Sequence, residues 1–182
     1  MGQKELLQEF VCLKEKNERY MGNSNDHAGY FNPLKPRWDL WLENLNLNYT
    51  TYISFWENSQ PTFCFGRRDI LGDNYVNGPI FKKQHGVYIW LGCQWKRRTF
   101  GLRIGCSNNY SNASKQECTA LDKLFTLRKE TYESKYEKTY PTLEQLQENF
   151  LYDFIELVKV FNAVPREDFL LKDSVYLKGC KV

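Results

Sequence analysis

Apolar and polar positions change period several times along the chain, and each change predicts a different element. Leu6, Leu7, Phe10, Val11 and Leu13 recur at helical spacing, while Lys14, Glu15, Lys16, Glu18 and Arg19 take the opposite side. That pattern predicts an amphipathic helix over 4–19. It dissolves between Met21 and Pro36 into Gly22, Asn23, Asn25, Gly29, Pro33 and Pro36, the composition of a loop. Trp38, Leu40, Leu42 and Leu45 fit either a short helix or a strand. Tyr49 to Trp56 is dense in β-branched and aromatic residues and reads as a strand, and Phe63 and Phe65 mark a second extended piece.

The cleanest periodicity lies between Gly86 and Ser107. Val87, Ile89 and Leu91 alternate with Tyr88, Trp90 and Gly92, and Phe100, Leu102 and Ile104 alternate with Gly101 and Arg103. Two such runs, joined by the short basic bend Trp95 to Arg98, predict an antiparallel hairpin with one face inward. Further on, Cys118, Leu121, Leu124 and Leu127 place a helix in at least the first half of 115–138. A second helix opens with Pro141 in its first turn and carries Leu143, Leu146, Phe150, Phe154, Leu157, Val158 and Phe161 as a stripe, with Pro165 ending it. A strand-like piece at 174–177 closes the chain. The sum is one α+β domain over 1–182: an N-terminal helix at 4–19, a central antiparallel or mixed β-sheet within about 38–107, and C-terminal helices within about 115–162 packed on it.

Composition narrows the function classes. With 182 residues, 42% apolar and 26% charged, the chain can build one core. It has no run near the roughly 20 apolar residues a membrane helix needs, and its first 18 positions are too charged for a signal peptide. The expectation is a cytoplasmic protein with no membrane partner. Six cysteines at 12, 64, 93, 106, 118 and 180 form no C-x-x-C pair, and the histidines are His27 and His85 alone. Free thiols and no zinc site or other cofactor follow.

Charge and rings coincide in one stretch. Residues 66–105 hold the cations Arg67, Arg68, Lys82, Lys83, Lys96, Arg97, Arg98 and Arg103 against the acids Asp69 and Asp73, a net +6 in a chain of net +3. The remainder is therefore net −3. A phosphate backbone selects such asymmetry, because each neutralised phosphate releases a counterion. The aromatics Tyr49, Tyr52, Trp56, Tyr88 and Trp90 interleave with this zone and suit stacking on bases, although rings in strands commonly serve as core. Tyr88 and Trp90 stand out because their neighbours Val87, Ile89 and Leu91 already supply an apolar face.

Catalytic readings have less to build on. The chain carries no Walker-type loop, no G-x-G-x-x-G and no H-E-x-x-H, and a Cys-His or Ser-His nucleophile would have to use His27 or His85. A metal-dependent nuclease would rest on Asp69, Asp73 and Glu57. The expectation is a binding module rather than an enzyme, with duplex DNA as the partner. A protein-interaction module, an inhibitor or adaptor using the same aromatic and arginine surface, is the alternative.

The stretch Gly86-Val87-Tyr88, strand, basic bend, strand and then Gly105-Cys106-Ser107-Asn108-Asn109 resembles the central hairpin of the N-terminal DNA-recognition domain of McrB-type modification-dependent restriction GTPases. The N-terminal helix, the aromatic strand Tyr49 to Trp56 and the segment Tyr132 to Tyr140 with its following helix are similar to that domain as well. The resemblance implies a role in a restriction system: DNA recognition with a modified cytosine flipped from the duplex, Tyr88 as one wall of its pocket and Tyr52 or Trp56 as the other. It also implies that GTPase and nuclease activities sit on a fused motor domain or partner subunit. The insert 61–79 is longer than the family pattern, and Arg97 and Arg98 make the bend more basic, which equally fits arginine readout in a groove.

Overall fold

A computed structural model describes residues 2–16, 33–56, 59–71, 87–94, 99–106, 119–128 and 131–169, with side chains at 13–16, 52–61, 94 and 131 left aside. Residues 17–32, which hold the end of the predicted helix 4–19 and most of the predicted loop 21–36, lie outside the described residues, as do 72–86 with the end of the insert 61–79, the bend 95–98, the segment 107–118 and the strand-like piece at 174–177.

Helix α1 spans Gln3–Lys16 and buries Leu6, Leu7, Phe10 and Val11. Helix α2, Leu34–Asn44, begins inside the predicted loop: Pro36 falls in its first turn, where a missing N–H costs no intrahelical bond. The helix reading of Trp38 to Leu45 is the one realised. It ends at Leu45 with Asn46 in the left-handed region (φ 56°). The Asn46 N–H donates to the Glu43 carbonyl at 2.9 Å and the Leu47 N–H to the Leu42 carbonyl at 3.0 Å. These two bonds satisfy the last carbonyls and turn the chain into the sheet.

Strands β1 (Tyr49–Trp56), β2 (Ser59–Arg67), β3 (Val87–Gln94), β4 (Thr99–Cys106) and β7 (Glu137–Tyr140) form one sheet in the order β1-β2-β3-β4-β7. Every pairing is antiparallel. A one-turn helix α3, Arg68–Leu71, follows β2. The predicted hairpin is β3–β4, with Ile89 opposite Ile104 and Leu91 opposite Leu102.

The region 115–138 departs most from expectation. Its described helix, α4, is only Thr119–Leu124, and a two-stranded hairpin β5 (Phe125–Arg128) and β6 (Thr131–Ser134) takes over, leading into β7. The sheet thus extends past the predicted limit of 107. Leu127, which continues the helical spacing, is exposed. Helix α5, Leu143–Asn162, starts after Thr142, whose hydroxyl accepts from the Gln145 N–H at 3.2 Å. Pro141 therefore precedes the cap instead of lying in the first turn. A 3-10 turn, Arg166–Phe169, follows Pro165.

Phe63 and Phe65 point from β2 to the helices. Phe10 meets Phe63, Trp38 meets both, and Phe150 and Phe154 meet Phe65, with ring centroids 4.9 to 6.4 Å apart. Because Phe63 pairs with Leu91 and Leu91 with Leu102, the apolar residues of β3 and β4 share this face. Helices α1, α2 and α5 cover it, and the α+β architecture is the one expected. Among the described residues no helix is long and apolar enough to cross a membrane.

Candidate nucleic-acid interface

The strand pairings carry one row of residues across the whole sheet on the face away from the helices. Tyr52 stands opposite Cys64, Cys64 opposite Trp90, Trp90 opposite Arg103 and Arg103 opposite Glu137. Alternation in each strand follows from the apolar positions one residue away, which face the core. Three residues chosen from the sequence, Tyr52, Trp90 and Arg103, therefore share a register row. Tyr88 lies on the same face one pair further along β3, half-buried and opposite Gly105.

The two halves of this face differ. Thr50 and Cys64, on β1 and β2, are fully buried. Burial pushes the Cys64 thiol from its ordinary 9.0 up to about 12, so it is a protonated, unreactive sulfur. On β3, β4 and β7 the face opens. Trp90 is half-buried, and the Arg103 and Glu137 side chains are 42% and 47% exposed.

Trp90 is held low on the sheet by two glycines. A Cβ on Gly92 would fall 2.1 Å from the nearest indole carbon, and one on Gly101 would fall 3.1 Å away. The ring occupies the space that side chains at those positions would need, the arrangement by which an aromatic covers a glycine in a sheet. The Arg103 guanidinium carbon sits 4.5 Å from the Trp90 ring centroid, within cation–π range. Its Nη1 lies 3.9 Å from Glu137 Oε2, a loose pair at an exposed edge.

Other expected site residues have different work. Arg67 is not on this face: it is buried, and its Nη1 donates to the Phe161 carbonyl at 2.9 Å and the Val164 carbonyl at 2.6 Å. Its Nε and Nη2 donate to Asp69 at 3.1 and 2.7 Å, and the rings of Phe161 and Phe169 lie 5.6 and 5.5 Å from its guanidinium carbon. This arginine closes the C-terminal end of α5, whose last carbonyls lack intrahelical donors. Asp69, named for the nuclease reading, is paired with Arg67, while its companions Glu57 and Asp73 lie outside the described residues. Among the described residues no group of three His, Cys, Asp or Glu side chains could hold a metal.

Arg68 donates from Nε to the Tyr49 carbonyl at 2.7 Å and pairs with Glu43 at 3.5 Å, tying the start of β1 to the end of α2. Tyr49 belongs to the core and not to a stacking surface: it is 1% exposed, its ring meets Phe161, and its hydroxyl donates to Asn162 Oδ1 at 3.0 Å. Tyr49 and Thr51 face the helices, Thr51 donating its hydroxyl to Asp39 of α2 at 2.7 Å, while Tyr52 takes the register position opposite Cys64. Lys82, Lys83, Lys96, Arg97 and Arg98 lie outside the described residues, as do the side chains of Tyr52 and Trp56.

Reasoning from sequence missed Glu137, because β7 itself was hidden, and the glycine bed under Trp90. The signal for the latter was present: Gly92 and Gly101 flank the hairpin symmetrically and pair with each other. Comparison with protein families, curated proteins and solved structures gave no match.

Proposed function

We propose that the chain is a DNA-recognition module, acting in the cytoplasm, whose contact surface is the open outer half of the sheet. The observation that supports this best is the shared row of Trp90 and Arg103 beside Tyr88: a cation and flat rings on the face that does not pack on the helices. Rings and guanidinium groups are the side chains that meet bases, by stacking and by hydrogen bonding. The excess of six positive charges within 66–105 supplies long-range attraction to phosphates. Catalysis is assigned to other segments or partner chains. The resemblance to McrB-type domains supports a GTPase or nuclease partner in a restriction system, with Tyr88 reading the base or its modification.

Fluorescence anisotropy with duplex and single-stranded DNA, modified and unmodified, across a salt titration tests this reading. Binding is expected to weaken steeply with salt, and Arg97→Ala with Arg98→Ala to lower affinity for every sequence. Tyr88→Ala is expected to erase preference among bases while leaving most of the affinity. Absence of binding to any DNA at low salt would end the proposal.

A further inference from the structure

Resting on that reading, we infer that the seat for a nucleobase on this face is the flat guanidinium of Arg103, and that the DNA meets it as a single strand. The underside of the seat is the Trp90 indole. Gly92 and Gly101 let the Trp90 indole lie against the sheet, and the 2.1 Å separation at Gly92 means that no larger residue there would leave the ring in place. The Arg103 guanidinium carbon lies 4.5 Å from the ring centroid, within cation–π range of the indole. The Arg103 side chain remains 42% exposed, so a ligand can reach it.

Charge decides between face and edge. A phosphate binds a guanidinium through its N–H edge, bidentately where it can. Here Nη1 lies 3.9 Å from the Glu137 carboxylate, which places a negative charge beside that edge. Stacking uses the plane and leaves the edge to Glu137. Bases stack on arginine planes as they do on aromatic rings, and a π-cation-π layer of indole, guanidinium and base needs no further donor. A base inside a duplex has both faces taken by its neighbours, and one flipped from a duplex is held in an enclosing pocket. Among the described residues, the outer face of β3, β4 and β7 presents Arg103 and Glu137 exposed beside half-buried Trp90 and Tyr88, a surface more like the platforms that receive single strands.

Anisotropy with the full chain and three probes separates the possibilities: a thymidine strand about 15 nucleotides long, an abasic strand of equal length, and the thymidine strand paired in a duplex. The wild type is expected to bind the thymidine strand roughly tenfold more tightly than the abasic strand, and more tightly than the duplex. Arg103→Lys keeps the charge and removes the plane. It is expected to lower thymidine-strand affinity to the abasic level, leaving the abasic strand's affinity and salt slope unchanged. A urea unfolding midpoint equal to that of the wild type shows that the exposed substitution leaves the fold intact. Equal affinity of the wild type for thymidine and abasic strands would overturn the seat while DNA binding stood. So would an equal loss on both strands in Arg103→Lys, which marks a phosphate contact, or tighter binding of the duplex. Failure to bind any probe at low salt would remove the DNA reading itself.

Discussion

Arg67 and Arg103 are the same residue type three dozen positions apart, and burial sets them to opposite uses. Arg67 is 8% exposed with two backbone carbonyls and one carboxylate around it, whereas Arg103 lies on a ring at an open face. Removing a buried guanidinium strands its acceptors, and that penalty exceeds what any surface arginine contributes. Arg67→Ala is expected to destabilise the fold by about 3 kcal/mol, read as a lower urea midpoint, with little change in the DNA affinity of the folded protein. Arg103→Ala should show the reverse balance, losing affinity at nearly constant stability. Sequence alone could not separate the two. Both sit in the basic stretch, and Arg67 differs only in continuing the inward positions of Phe63 and Phe65 along β2.

At the scale of elements, β7 is held by one buried carboxylate. Tyr140 donates its hydroxyl to Asp153 Oδ2 at 2.7 Å, and Lys138 Nζ lies 3.3 Å from Oδ1, so two residues of this four-residue edge strand grip α5 through Asp153. Asp153→Ala would leave the Tyr140 hydroxyl buried without an acceptor, at a cost of about 2 kcal/mol. The loss should be uneven: amide exchange at 137–140 rises more than in β3, because a short edge strand opens locally before the sheet does. Uniform acceleration across the sheet would contradict this. The same brevity explains what could be read in advance. β1, β3, β4 and α5 run eight residues or more and show their period in the sequence. β7 buries Tyr140 alone, so it has no alternation to see. After Leu124 the helical spacing of Leu121, Leu124 and Leu127 competes with the strand preference of Phe125, Thr126, Thr131 and Tyr132, and cross-strand pairing wins.

At the scale of the whole molecule, three buried weak acids among the described residues link stability to alkaline pH. Tyr49 and Tyr140 are both held well above the ordinary tyrosine value of 10.0, burial being the main cause in each, with the hydrogen bond to Asp153 adding to it for Tyr140. Burial likewise raises Cys64 from 9.0 to about 12. In every case the folded state keeps a proton that the unfolded chain releases earlier. The native state therefore binds more protons once the pH passes the unfolded values, and stability falls as pH rises. Below pH 9.0 the thiol is neutral in both states and costs nothing; between 9.0 and about 12 each further unit withdraws about 1.4 kcal/mol through Cys64. The tyrosines add their share above 10.0. Urea midpoints measured from pH 7 upward should hold steady and then drop with increasing slope beyond pH 9.0. Pairing Tyr49→Phe with Tyr140→Phe keeps both rings in the core but removes two of the three protons. That variant should start lower at neutral pH, through the lost bonds to Asn162 and Asp153, and then decline less steeply than the wild type above 10.0. Parallel curves for the two proteins would show that exposed groups, and not these sealed hydroxyls, govern the alkaline limit of the fold.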